Sequence, residues 1–202
     1  MFIRTCGDHG LLVEVDGLDD VLALQAALYA DLPPGVTEIV PAARTVLVRI
    51  QPETTDITAL AAAIRGLRPS RRRHGDAGEV RIPVQYDGAD LVDVARHTGM
   101  TEHEIVEAHT RASWTVAFCG FAPGFGYLVG DDPRLHVPRR SESRTRVPAG
   151  AVALAGEFTG VYPRQSPGGW QLIGSTDVAV WDLERDPPGL LRPGVRVRFV
   201  AV

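Results

Sequence analysis

Phe118-Cys119-Gly120-Phe121-Ala122-Pro123-Gly124-Phe125-Gly126-Tyr127-Leu128 sets three Phe and one Tyr among small residues. Glycines here permit sharp turns and close approach of other groups to the backbone. The glycine spacing and the lack of a following helix differ from a dinucleotide-binding fingerprint. Two readings stay open: a tight β-turn filled by core aromatics, or a loop lining a ligand or partner surface. Phe121, Pro123, Gly124, Phe125 and Tyr127 are the candidate lining residues.

Outward from this stretch the chain reads as short strands separated by turns. Thr115 to Phe118, Ala151 to Leu154, Gly169 to Ile173 and Val178 to Trp181 are strand candidates. Val195-Arg196-Val197-Arg198-Phe199-Val200 alternates, with Val195, Val197 and Phe199 predicted inward and both Arg outward. Gly and Pro amount to 36 of 202 residues, about 18% against a usual level of roughly 12%. Many turns and short strands suggest a closed or nearly closed barrel, which solves the edge-strand problem. Val80-Arg81-Ile82-Pro83-Val84 reads as a strand, with Pro83 favouring an edge. Asp90-Leu91-Val92-Asp93 starts a short helix that stops near Gly99. Thr101 and Glu104 fit a capping box for a second helix burying Ile105, Val106 and Ala108.

The N-terminal part has a different rhythm. Leu11 to Val15 and Arg44 to Ile50 read as strands, the latter with Val46, Val48 and Ile50 on one face. Asp19 or Asp20 caps a helix through Leu22, Leu24, Ala27 and Leu28, and Thr55 or Asp56 opens another with Leu60, Ile64 and Leu67 buried. A two-layer α/β sandwich is predicted over residues 1–78. Residues 79–202 form the barrel domain, and the whole is α+β. Pro69 to Gly78, with three Arg and no large apolar side chain, reads as a linker or exposed hairpin.

Composition excludes several classes. No run of 18 apolar residues exists, so no transmembrane helix is predicted. The first residues lack a long apolar signal segment, and two cysteines are too few for a disulfide scaffold. A cytoplasmic location is expected. Net charge is −4, which argues against wholesale attraction to nucleic acid. All 21 basic residues are Arg. A Schiff-base lysine and a phosphate-loop lysine are therefore excluded, and phosphate or carboxylate contacts fall to Arg or backbone N–H.

Residues 134–164 hold six Arg and two Glu. Arg144 and Arg146, two apart in an extended stretch, face one way. Two guanidinium forks there suit a carboxylate, carboxyphosphate or phosphoryl group; a solvated loop with salt bridges is the alternative. In the loop 161–170, Tyr162 and Trp170 either plug the barrel end or line a pocket. Gln165 and Ser166 offer neutral hydrogen bonds suited to an amide or lactam. No two histidines are four apart, so the helical zinc-protease motif is absent, and no metal site is expected. His109 is a general base only if the fold brings it to the Arg-rich loop. Cys119 reads as a small buried hydrophobe.

A family resemblance rests on Ile82-Pro83-Val84, His97-Thr98-Gly99, Gly120 to Phe125, Pro138-Arg139 and Arg144-Thr145-Arg146-Val147-Pro148-Ala149-Gly150. It continues through Gly160 to Pro163, Ser166 to Gly174 and Leu191 to Phe199. These segments resemble the B-subunit family of bacterial 5-oxoprolinase (carboxyltransferase domain, subdomains C and D), which also contains the sporulation kinase inhibitor and proteins called allophanate hydrolase subunit 1. The match covers residues 80–202, with a looser N-terminal match around Gly7-Asp8 and a departure at Gly126. The resemblance implies a cyclophilin-like barrel that works with two partners, a second barrel protein like the C subunit of that enzyme and a protein like its A subunit. It implies ATP-dependent opening of 5-oxo-L-proline, a small lactam, to L-glutamate. ATP would be used in the complex with no tightly bound cofactor, and the chain alone would be inactive. Arg144 and Arg146 would then stabilise phosphate charge. The same resemblance admits a regulatory inhibitor of a sensor histidine kinase, or half of a biotin-dependent urea or amide carboxyltransferase.

Overall fold

The computed structural model describes residues 1–68 and 78–202. The chain divides into two compact units, Met1–Arg73 and His74–Val202. The expected linker at 69–77 lies outside the described residues. No helix among the described residues is long and apolar enough to cross a membrane.

The first unit runs β1 (Phe2–Thr5), β2 (Gly10–Glu14), α1 (Leu18–Ala30), β3 (Val36–Pro41), β4 (Thr45–Ile50) and α2 (Ile57–Gly66). Its antiparallel sheet has the order β1-β2-β4-β3. Period-two alternation sends Leu11 and Val13 of β2, and Val46, Val48 and Ile50 of β4, to one face. There they meet Leu24 and Leu28 of α1 and Leu60 and Ile64 of α2 in a single core. Asp56 caps α2 by accepting from the Thr58 and Ala59 amides. The cap of α1 is Gly17, without a side-chain bond. Asp19 and Asp20 instead sit in the first turn, where the helix dipole favours them. The buried α1 stripe is Val21, Ala23, Leu24 and Leu28, displaced from the expected one, while Leu22 and Ala27 stay half-buried. β1 and β3 have no counterpart in the sequence reading. β1 is mostly exposed and only Ile39 of β3 is buried, so periodicity marks both weakly.

The second unit contains β5 (Glu79–Val84), α3 (Leu91–Thr98), α4 (Glu102–Arg111), β6 (Trp114–Cys119), β7 (Gly126–Val129), β8 (Arg144–Val147), β9 (Ala151–Ala155), β10 (Phe158–Val161), β11 (Ser166–Gly168), β12 (Gln171–Ser175) and β13 (Arg196–Ala201). Seven strands form one sheet in the order β12-β9-β10-β7-β6-β13-β5, and β8 pairs with β11 apart from it. β5 joins β13 in parallel; the other pairs in this sheet are antiparallel. The two ends of the sheet meet. Gln85 and Ser175 exchange N–H···O bonds of 2.9 and 2.8 Å, which nearly closes the barrel.

Inward side chains from the seven strands, with Leu91, Val94 and Ile105 from the two helices, make a largely aliphatic core that also holds Trp114 and Phe199. Gly99 ends α3 in the left-handed region at φ +71°. Thr101 and Glu104 complete the capping box that starts α4. The expected strand over Val178 to Trp181 does not form. That segment folds on its own loop instead: the Leu190 amide donates to Val180 O and the Asp182 amide to Pro188 O.

His109 of α4 is fully buried in this core. Thr159 Oγ1 donates to Ala153 O (3.1 Å), so it accepts from His109 Nε2 (3.0 Å). His109 Nδ1 must then accept the Tyr86 hydroxyl proton (2.7 Å). The ring is thus a neutral imidazole with both nitrogens used, and it stacks near Phe199 and Trp114. Burial pulls its pKa down to about 3. The folded value lies below the unfolded one, so lowering pH favours the unfolded state. The barrel unit is expected to lose stability as pH falls below about 6.5, approaching a slope of about 1.4 kcal/mol per pH unit. All three Trp lie in this unit, so denaturant titrations followed by Trp fluorescence at about pH 6.5, 6, 5.5 and 5 report it directly. His109→Gln should flatten the dependence; a flat wild-type profile would contradict the assignment.

Candidate functional site

Seven aromatic rings form a cluster distinct from the barrel core: Phe118, Phe121, Phe125, Tyr127, Phe158, Tyr162 and Trp170. Phe125 is its hub, with T-shaped contacts to Phe121, Tyr127, Tyr162 and Trp170 at centroid distances of 5.1–5.4 Å. Gly160 makes room for it, because a Cβ there would stand 3.1 Å from Phe125 and 3.2 Å from Trp170. Phe125, Tyr162 and Trp170 are buried, so they build the platform rather than line an open surface.

Phe121 is the exception. It is 59% exposed and holds φ +68°, the one positive-φ residue other than glycine among the described residues. The Ala122 amide donates to Gly120 O at 2.7 Å, which makes Phe121 the centre of a γ-turn. Such a conformation stores about 1–3 kcal/mol in a bulky residue. The loop closes around it through Phe125 N to Ala122 O (3.0 Å) and Gly120 N to Phe125 O (3.2 Å). Gly124, at φ +82°, is required twice over: a Cβ would stand 2.6 Å from Trp181 Cβ.

Asp90 organises the arginine-bearing segment. Its side chain is 1% exposed and accepts from four donors: Arg140 Nη1 (2.6 Å), Arg144 Nη1 (2.7 Å), Arg144 Nη2 (2.7 Å) and the Leu172 amide (2.7 Å). The Asp90 amide in turn donates to Leu172 O at 2.9 Å. Residue 90 therefore binds β12 by main chain and side chain together. Gly88 permits the approach, because a Cβ there would fall 2.3 Å from the Ile173 backbone. Burial pushes the Asp90 carboxyl up, but the Arg144 and Leu172 bonds and the charges of Arg144 and Arg140 hold it below its ordinary value. Asp90 sits at the N-cap of α3 yet makes no side-chain cap bond; its carboxylate is committed to partners 50–82 residues away in sequence.

The predicted site residues separate into groups. Arg144 faces Asp90, whereas Arg146 is exposed and donates to Gln165 Oε1 at 3.1 Å. The two forks thus have different partners. Ser166 Oγ donates to Arg164 O at 3.3 Å, and Pro123 lies on the exposed loop. His109 lies inside the core with both ring nitrogens bonded, so it is not presented to the Arg-rich loop. Helix position alone could not fix this, since the burying partners Tyr86 and Thr159 come from elsewhere in the chain. Cys119 donates its thiol to Leu191 O (3.2 Å), and burial pushes its pKa up to about 11. No group of His, Cys, Asp and Glu among the described residues has metal-ligand geometry. A cleft of about 350 Å³ in the first unit, beside Asp8 and Thr55, is lined by none of the predicted site residues.

The site thus consists of a nearly closed barrel, an aromatic platform and an arginine segment locked by a carboxylate. Residues 1–191 match the family described as carboxyltransferase domain, subdomain C and D, and the chain belongs to that family. It is 44% identical over 171 residues to the 5-oxoprolinase B subunit of Escherichia coli O157:H7, covering 83% of this chain and 78% of that one. It is 45% identical over 126 residues to the 5-oxoprolinase B subunit of Bacillus subtilis, covering 61% and 52%. The chain therefore spans about half the length of that second relative. The crystal structure of Kluyveromyces lactis urea carboxylase superposes with a TM-score of 0.79 at 21% identity, covering 99% of this chain and 21% of that one. That likeness shows the cyclophilin-like fold.

Two substitutions separate the platform from the lock. Asp90→Ala strands two guanidinium groups and a buried amide, and should cost about 3 kcal/mol in the barrel unit, read by denaturant unfolding. A loss under about 1 kcal/mol, the scale of one surface ion pair, would contradict the role. Phe121→Gly relieves the γ-turn and should leave thermal stability unchanged or raised. A large fall in Tm would mean that the exposed ring holds the loop.

Proposed function

We propose that this chain is the B subunit of an ATP-dependent 5-oxoprolinase that opens 5-oxo-L-proline to L-glutamate in the cytoplasm. The observation that carries this reading is the 44% identity to a 5-oxoprolinase B subunit over 83% of the chain. Its partners are a second barrel protein, the C subunit, and a separate A subunit. Amide resonance makes the lactam stable, so its ring carbonyl needs activation, which ATP supplies in the complex.

The described residues of this chain do not fit a triphosphate cradle. It has no Lys, and the Arg144 fork expected to meet phosphate is filled by Asp90. In this reading Arg144 holds the segment in place through Asp90, and exposed Arg146 is the member of the pair left to meet a phosphate in the complex. What this chain contributes is a rigid binding wall. Asp90 fixes the arginine segment, and the aromatic platform fixes the 120–125 loop. Exposed Phe121, Trp181 and Leu183, with Trp181 packed on Gly124, give this wall an apolar rim suited to a second protein.

Reconstitution with the A and C subunits is the direct test. ATP hydrolysis that depends on 5-oxo-L-proline is expected only from the full set, with L-glutamate released. Activity from this chain alone, or a complete set inert to 5-oxo-L-proline, would overturn the proposal.

A further inference from the structure

We propose that His109 is a positioning residue: its imidazole is a strut across the barrel interior that sets the aromatic platform against the seam where Gln85 and Ser175 close the barrel. Its two ring bonds run to different parts of the barrel wall. Nδ1 accepts from the Tyr86 hydroxyl at 2.7 Å, and Nε2 donates to Thr159 Oγ1 at 3.0 Å. Tyr86 follows β5 and Thr159 lies in β10. In the sheet order three strands separate β5 from β10 one way round, and two the other way across the seam. A third bond, from Trp114 Nε1 to His109 O at 2.9 Å, fixes the main chain of the same residue.

Each end of the strut carries one part of the candidate site. Tyr86 stands between Gln85, which exchanges bonds with Ser175, and Asp87, which accepts from Ser175 Oγ at 3.1 Å. Gly174 lets this stretch lie close on β12, because a Cβ there would stand 2.5 Å from Gln85 O and 3.2 Å from Tyr86 Cα. Asp90, with Arg140 and Arg144 bonded to it, follows in the same segment. At the other end the strand alternates. Val161 belongs to the barrel core and Thr159 points the same way, so Phe158 and Gly160 face outward. Phe158 packs on Phe118 and Tyr127 at 5.7 and 5.6 Å, and Gly160 lies under Phe125 and Trp170. The bond that holds Thr159 from inside therefore holds the platform on the far face of the same strand.

A leucine would fill this interior without desolvating an imidazole and two hydroxyls. What the imidazole adds is direction. Hydrogen bonds define a length and an angle, whereas apolar packing tolerates slip. His109 thus fixes the spacing between the arginine segment and the platform without touching either. This deepens the proposed function and rests on it for the turnover assay alone.

The test is fluorine NMR of the full chain labelled with fluorotryptophan. Trp170 lies in the platform and Trp114 beside His109, so the first reports the site and the second the strut. Tyr86→Phe removes one end of the strut, Thr159→Val the other, and His109→Leu both. Each is expected to move the Trp170 resonance, although the Tyr86 ring meets His109 and no ring of the platform. Thr159→Ser keeps the hydroxyl and should restore the wild-type position. Thr110→Val removes a hydroxyl of the same helix that bonds to Val106 O at 2.7 Å, and should leave Trp170 unmoved. In the reconstituted complex, Tyr86→Phe should raise KM for 5-oxo-L-proline about threefold or more while kcat stays within about twofold. A Trp170 resonance that ignores Tyr86→Phe, or that moves as far with Thr110→Val, would overturn the strut. Unchanged KM in an active Tyr86→Phe complex would overturn its part in placing the site. The strut and the function fail separately: a complete wild-type set inert to 5-oxo-L-proline removes the function, while the Trp170 shifts decide the strut in the chain by itself.

Discussion

A single buried carboxylate holds the barrel unit together. Taking a carboxylate out of water costs several kcal/mol unless its oxygens are fully bonded. Asp90 meets that condition with three guanidinium N–H groups and one main-chain amide. Each bond has a structural consequence. The Leu172 amide belongs to β12, the last strand of the seven-stranded sheet, so Asp90 continues the seam that Gln85 and Ser175 begin. The guanidinium bonds draw residues 140–144 onto the same seam. The same carboxylate thus ties the arginine segment to the barrel seam.

That arrangement also sorts the charges. Arg140 and Arg144 are committed to Asp90, while Arg134, Arg139, Arg146 and Arg164 keep their charge at the surface. What remains at the surface is set by which side chains the lock leaves over. The aromatic platform works in the same way. Six of its rings stabilise one another through burial and edge-to-face contacts, and the seventh, Phe121, is pushed outward by its γ-turn. Rigidity below and an unsatisfied group above is what a preorganised binding surface requires.

Much of this fold was legible in the sequence where the signal is local. Alternation placed Val46, Val48 and Ile50 on one face, and Thr101 with Glu104 marked the start of α4, because a strand period and a capping box are each decided within a few residues. The short inward runs of β9 and β13 were legible for the same reason. Val178 to Trp181 misled because apolar content alone does not distinguish a strand from a loop that folds on itself. The site was harder to see. Asp90 reads locally as a helix cap, and nothing close to it in sequence reveals partners at Arg140, Arg144 and Leu172. His109 reads as a general base conditional on reaching the Arg-rich loop, and local sequence does not show that Tyr86 and Thr159 close over it. The aromatic turn was recognisable as distinctive, but only the backbone at Phe121 separates the one open ring from the buried ones.

The most direct measurement of the Asp90 lock is hydrogen exchange at the Leu172 amide, in the wild-type chain and in Asp90→Asn. The account predicts slow exchange in the wild type, at the level of the interior strands. In Asp90→Asn, exchange should accelerate at Leu172 and through β12 while β6 and β7 stay protected. Fast exchange at Leu172 in the wild type, or equal protection in both chains, would mean that the barrel closes without this carboxylate.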